Sequence, residues 1–170
     1  MDEKKDKKFI NFIKELIPYV LIIIAVLLFK KYLYAPIKVN GESMMNTLHD
    51  KDIMILDIID YKIHGLKRFD IVVVDEGSEL IIKRVIGLPG ELVEYKNNKL
   101  YINGKKVNDK YASKETEDFS ILVPKGEYFV LGDNRTNSLD SRVFGTFSKD
   151  KILGKTSMTL FPFNRWGNKE

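Results

Sequence analysis

The alternation of apolar and polar positions divides the chain into two regimes. Leu16 to Phe29 is a fourteen-residue run without a charge. As a helix it would extend about 21 Å, and continued through Lys30 and Lys31 to Tyr34 it reaches nineteen residues, near the length that spans a bilayer of about 30 Å. The two lysines could snorkel while Tyr19, Tyr32 and Tyr34 lie at headgroup depth. Beyond Pro36 the pattern changes to short runs rich in β-branched residues. Strands are predicted at Ile37–Val39, Ile53–Ile59, Ile71–Val74, Leu80–Ile86, Leu92–Tyr95, Leu100–Ile102, Tyr128–Leu131 and Thr156–Phe161. Lys96-Asn97-Asn98-Lys99 and Asn103-Gly104 have hairpin-turn chemistry, because their central residues tolerate positive φ. No long stretch after residue 36 repeats its apolar residues at helical spacing, so few helices are expected there. The polar stretch Asn108 to Ser120 is expected to be a mobile loop with solvated charges, and the M-D-E-K-K-D-K-K start a solvated, disordered end.

This pattern implies a mostly β, antiparallel domain behind one N-terminal transmembrane helix, divided as a cytoplasmic tail (1–15), an anchor (16–35) and an extracytoplasmic domain (36–170). A cleavable leader fits less well: its cleavage point would fall near Leu33-Tyr34-Ala35, where Leu33 is bulky and Pro36 would follow the cut. Charge supports the division. The chain of 170 residues carries a net +4. Residues 1–35 hold seven of the 28 basic side chains and four of the 24 acidic ones, leaving a nearly neutral body of 21 and 20. A neutral body excludes the basic stripe that nucleic-acid binding needs. The lysines before the run (Lys4, Lys5, Lys7, Lys8, Lys14) outnumber those soon after it (Lys30, Lys31, Lys38), which favours a cytoplasmic N-terminus. The absence of cysteine excludes disulfides and thiolate chemistry.

Three segments carry candidate chemistry. Ser43 heads S-M-M-N-T-L, Lys83 heads K-R-V-I-G-L-P-G-E, and G-D-N-R-T-N-S-L-D-S-R runs from Gly132 to Arg142. A serine hydroxyl needs a base to become a nucleophile, and the usual base is scarce: only His49 and His64 occur. A lysine can serve if it is neutral. Leu80, Ile81, Ile82, Val85 and Ile86 surround Lys83 in sequence, and an apolar setting disfavours an ammonium ion. Strand alternation places Ile81 and Val85 on the face of Lys83, with Ile82 and Arg84 opposite. If the third segment is extended, Ser138, Asp140 and Arg142 share one face. Asp133 has no His or Cys cluster near it, so no metal is expected.

These blocks, in this order, resemble the type I signal peptidases of bacteria in their compact, Gram-positive-like form. The resemblance runs from Pro36 to Gly154 and includes a looser match at Lys67 to Val72, where Phe69 stands at a position usually held by glycine. It implies an antiparallel, barrel-like catalytic domain with a small β appendage and a Ser/Lys dyad. By this resemblance Ser43 is the nucleophile and Lys83 the base. Ser138 would hydrogen-bond the Lys83 amine, Asp140 and Arg142 would form a supporting ion pair, and Met44, Ile81 and Ile82 would line the substrate pocket. The implied activity is removal of signal peptides from exported preproteins by a single-pass cell-membrane enzyme beside the protein-export translocon, without cofactor. Two positions depart from the pattern. Asn46 replaces the proline of S-M-x-P-T-L, and Gly41 stands where some members place an oxyanion-hole serine, which leaves the second oxyanion donor open. Self-cleaving repressors share the Ser/Lys pairing but need a DNA-binding helix-turn-helix, whereas this chain begins with an apolar anchor and has a neutral body. An inactive membrane-tethered β module that binds exported peptides is the alternative from another class.

Overall fold

The computed structural model describes residues 3–32 and 34–169, with side chains described for 11–27 and 35–169. Helix α1 covers Glu3–Tyr32 and contains the uncharged run. Its start makes Glu3 to Lys8 helical, where a disordered tail was expected. Its end falls short of Tyr34, which opens the first strand, because the residue before a proline favours extended backbone and Pro36 follows so soon. Among the described residues no helix is long and apolar enough to cross a membrane. The positions expected to anchor the helix ends, Lys30, Lys31, Tyr32 and Tyr34, have side chains outside the described residues, and Leu33 is outside them altogether.

The body forms two sheets, and the strand pairings among the described residues are antiparallel. The larger contains β1 (Tyr34–Lys38), β2 (Ile53–Asp57), β3 (Ile71–Asp75), β4 (Leu80–Gly87), β9 (Glu127–Leu131), β10 (Phe147–Ser148), β11 (Ile152–Lys155), β12 (Met158–Phe161) and β13 (Gly167–Asn168). A second, four-stranded sheet holds β5 (Leu92–Lys96), β6 (Lys99–Ile102), β7 (Lys105–Val107) and β8 (Phe119–Leu122). Both predicted turns form: Asn97 and Asn98 have φ of 50° and 57°, Asn103 and Gly104 51° and 75°. Each turn therefore sets the register of its hairpin, Lys96 against Lys99 and Ile102 against Lys105.

Strands β3 and β4 are buried on both faces; β3 is apolar from Ile71 to Val74, whereas β4 also buries Lys83 and Arg84. One face packs Val72, Val74, Ile81 and Val85 against Tyr128 and Val130. The other packs Ile71, Val73 and Ile82 against Met44, Leu48 and Met54. A third cluster, including Ile86, Val93, Tyr95, Phe129 and Leu131, joins the two sheets. Lys83 thus lies on an interior strand of the larger sheet, paired on one side with β3 and on the other with β9.

Several elements differ from expectation. Ile58 and Ile59 do not prolong β2; they begin α2 (Ile58–His64), because Asp57 caps the helix by accepting the Asp60 N–H at 2.9 Å. Thr156 and Ser157 do not begin a strand: the predicted element shortens to β12, and β11, just before it, was not predicted. The stretch expected to be a mobile loop is pinned. Asp109 forms an ion pair with Arg135 at 2.5 Å, in which both side chains are buried, and the stretch ends in β8.

Candidate active site

Ser43 lies in the turn between β1 and β2, a segment folded back by Thr47 and Leu48 N–H groups that both donate to the Met44 carbonyl, at 2.8 and 2.9 Å. That turn carries Ser43 over β4. Lys83 Nζ lies 2.8 Å from Ser43 Oγ although the two residues are forty apart in sequence. Lys83 is only 4% exposed. Burial pushes its ammonium down to about 8, against the opposing pull of Asp140, Glu79 and Asp133. The physical consequence is large: at neutral pH roughly one molecule in ten carries a neutral amine, against one in a few thousand for an ordinary lysine.

The third segment closes round this pair. Asp140 is fully buried and receives a two-pronged bond from Arg142, Nε to Oδ1 at 2.9 Å and Nη2 to Oδ2 at 2.8 Å. The pair does not arise from an extended segment: Asp140 caps the short helix α3 (Ser141–Phe144), and its second oxygen accepts the Gly132 N–H at 3.0 Å. Burial pushes the Asp140 carboxyl up, but the Arg142 guanidinium and the Gly132 N–H outweigh it and hold the group below the usual carboxylate range. Ser138 Oγ is buried without a hydrogen-bond partner among the described residues, so the expected bond to Lys83 is not made. Its position nevertheless depends on Gly132. A Cβ at Gly132 would meet Ser138 Oγ at 2.2 Å and the Ser43 carbonyl oxygen at 2.6 Å. Only the missing side chain lets these two residues approach.

One cluster has no signal in the sequence. Arg84 is 1% exposed and pairs with the fully buried Asp133 through Nε at 2.8 Å and Nη2 at 2.7 Å. The same guanidinium donates to the Phe69 carbonyl at 2.7 Å and to Thr47 Oγ1 at 3.3 Å, and Thr47 in turn donates to Asp133 at 2.5 Å. The cluster ties the Ser43 turn, the Lys83 strand and the Gly132 segment together. Breaking such a buried pair from one side typically costs about 3–5 kcal/mol.

A cleft of about 190 Å³ opens beside Ser43, lined by residues 38–44 and 79–83 together with Asn137 and Leu139. Met44, Ile81 and Ile82 all reach it, but they come from different faces. Met44 packs with Ile82, whereas Ile81 belongs to the opposite cluster. The Ser43 N–H makes no hydrogen bond among the described residues. Gly41 has φ of +83° and gives its own N–H to Asp50 at 2.9 Å, so a serine at this position would be strained. The Met45–Asn46 peptide, where the proline is replaced, is cis. No group of acidic or His side chains among the described residues has metal-site geometry.

The family model described as signal peptidase, peptidase S26, matches residues 10–161. The chain belongs to this family. It is similar to a signal peptidase I of Bacillus amyloliquefaciens, 42% identical over 158 residues and covering 85% of each chain. Signal peptidase IB of Staphylococcus aureus is 39% identical over 157 residues, or 80% of this chain and 82% of the relative. Among solved structures, a signal peptidase I from Enterococcus faecalis V583 is 38% identical with a TM-score of 0.50. It covers 53% of this chain and 95% of its own. Membership of the signal peptidase family makes the chain a signal peptidase I enzyme.

Proposed function

We propose that this enzyme cleaves signal peptides from exported preproteins with a Ser43–Lys83 dyad. The observation that carries the reading is the 2.8 Å approach of buried Lys83 Nζ to Ser43 Oγ at the edge of the cleft. In the first step neutral Lys83 takes the Ser43 proton as Oγ attacks the carbonyl before the scissile bond. The unpartnered Ser43 N–H faces the developing oxyanion. Lys83 then returns its proton to the departing amine, leaving an ester on Ser43. A water that gives its proton to Lys83 cleaves this ester, and the proton passes back to Ser43.

Ser138, Asp140 and Arg142 support this pair from the third segment, with Asp140–Arg142 keeping the chain around Gly132 in place. The preprotein lies extended between residues 37–42 and 80–82, adding strand-type hydrogen bonds. The helix from residue 16 to residue 32 serves as a membrane anchor with residues 1–15 in the cytoplasm. The domain from residue 36 then works outside the membrane, beside the protein-export translocon, and needs neither metal nor organic cofactor.

Met44, Ile81 and Ile82 leave space for small side chains only, at the first and third positions before the cut. Detergent-solubilised protein should therefore cut a precursor ending in A-x-A. Replacing either alanine by Leu or Phe should slow it at least about tenfold, since the forced repacking costs about 1–3 kcal/mol. Indifference to side-chain size, or binding of the precursor without turnover, would contradict the reading.

A further inference from the structure

The segment between β7 and β8 brings Tyr111 onto Arg84. Its ring lies across the guanidinium, with Cζ 3.6 Å from the ring centroid, and meets Phe69 at 5.3 Å between centroids. The in-plane edges of the guanidinium are already committed to Asp133, Thr47 and the Phe69 carbonyl. An aromatic ring on its face completes the enclosure, and a planar, weakly hydrated cation favours such stacking.

The segment is held on both sides of Tyr111. Two residues before it, Asp109 accepts the Tyr111 N–H at 3.2 Å and pairs with buried Arg135 at 2.5 Å. Two residues after it, Ser113 donates to the Asp133 carbonyl from its N–H at 2.9 Å and from its hydroxyl at 3.0 Å. Tyr111 is thus fixed against the cluster that joins Thr47, four residues beyond Ser43, to the strand of Lys83. Asn134, next to Asp133, donates its N–H to the Ser43 carbonyl at 2.9 Å.

We propose that Tyr111 is a positioning residue of the cleavage site: by stacking on Arg84 it keeps the guanidinium locked to Asp133 and Thr47, and so keeps the Ser43 turn in register with Lys83. The proposal rests on the Ser43–Lys83 reading. It gives the four-stranded sheet a role in catalysis, because the segment that delivers Tyr111 is a connection within that sheet. Tyr111 is not among the residues lining the cleft beside Ser43, so its loss acts on the rate of bond making and leaves substrate docking alone.

The test measures kcat and KM on an A-x-A precursor, and separately the rate at which a small serine-directed acylating reagent labels the solubilised full chain. Tyr111→Ala should lower kcat and the labelling rate together by about tenfold or more, with KM within about twofold of the starting enzyme. Tyr111→Phe, which keeps the ring, should restore both. If the alanine variant does not fold, Tyr111→Leu keeps apolar bulk without the aromatic face and should still lose at least threefold. Wild-type labelling by the alanine or leucine variant would overturn the proposal, as would a loss confined to KM or a phenylalanine variant as slow as the alanine one. Ser43→Ala is run alongside: labelling that persists in it shows that the dyad reading has failed, a result distinct from failure of the Tyr111 role.

Discussion

Replacing Gly132 with alanine adds one methyl group at the closest approach in the site. Ser138 Oγ, at 2.2 Å from the new atom, could rotate away, but Ser138 Cβ and the Ser43 carbonyl oxygen, both at 2.6 Å, belong to the chain's fixed frame. Restoring an ordinary contact of 3.4 Å moves the Ser43 carbonyl by about 0.8 Å, since no rotamer change relieves it. That displacement pulls the carbonyl from the Asn134 N–H now 2.9 Å away and carries Ser43 Oγ from Lys83. Overpacking of this kind costs about 1–3 kcal/mol of stability, while a misplacement near 1 Å at the reacting atoms lowers the rate by about a hundredfold. The Gly132→Ala variant should therefore fold with a modestly reduced Tm and lose far more kcat than its stability implies. Adding Ser138→Gly should recover part of the Tm by removing one of the two obstacles, yet leave kcat low because the Ser43 carbonyl remains displaced. Thermal melts and precursor turnover on both variants are sufficient. A Gly132→Ala enzyme with kcat within about twofold of the original would refute the argument.

Two further predictions concern Lys83 and Phe69. Because burial lowers the Lys83 ammonium to about 8 from an unfolded value near 10.5, cleavage should rise with pH through about 8. Below 8 the group is protonated in both states and the fold bears the full cost. From 8 to 10.5 the unfolded chain binds the extra proton, so this cost falls as pH rises. Lys83→Met should accordingly abolish turnover yet stabilise the protein at pH 7 by up to about 3 kcal/mol, whereas a less stable variant would contradict the buried charge. Phe69 has φ of +74°, a conformation that favours glycine, and its ring packs against Tyr111. Phe69→Ala keeps the strain and loses the ring, while Phe69→Gly loses both. The glycine variant should thus melt above the alanine one by about 1 kcal/mol, and the reverse order would show that the backbone is not strained there.

Much of the β architecture is legible because β-branched residues recur in short runs and because Asn97-Asn98 and Asn103-Gly104 set two hairpins by local conformation alone. Ser43 and Lys83, which approach to 2.8 Å, are legible as two motifs, and the alternation along β4 agrees with Ile81 and Val85 entering one cluster and Ile82 the other. What awaits Arg84 is not. Its partners are Asp133, forty-nine residues on, and Tyr111, in a stretch whose composition suggests only solvation. Burial of a charge depends on which partner the fold delivers to it, and local pattern holds no record of that. The start of α2 fails for the opposite reason. Ile58 and Ile59 have strong strand propensity, and one bond from the Asp60 N–H to Asp57 overrides it. Asp140 shows the same effect. Period-two spacing put it on one face with Arg142 and the family resemblance implied an ion pair; the pair forms, but across a helix cap.

The most direct test of the central claim is a double-mutant comparison of Ser43→Ala, Lys83→Ala and the combined variant on one exported precursor. If Ser43 and Lys83 are two halves of one proton-transfer unit, either single change should remove as much rate as both together. Equal residual rates in all three, with circular dichroism unchanged, are the predicted result. Losses that multiply, or substantial turnover by the Lys83→Ala enzyme, would contradict the account.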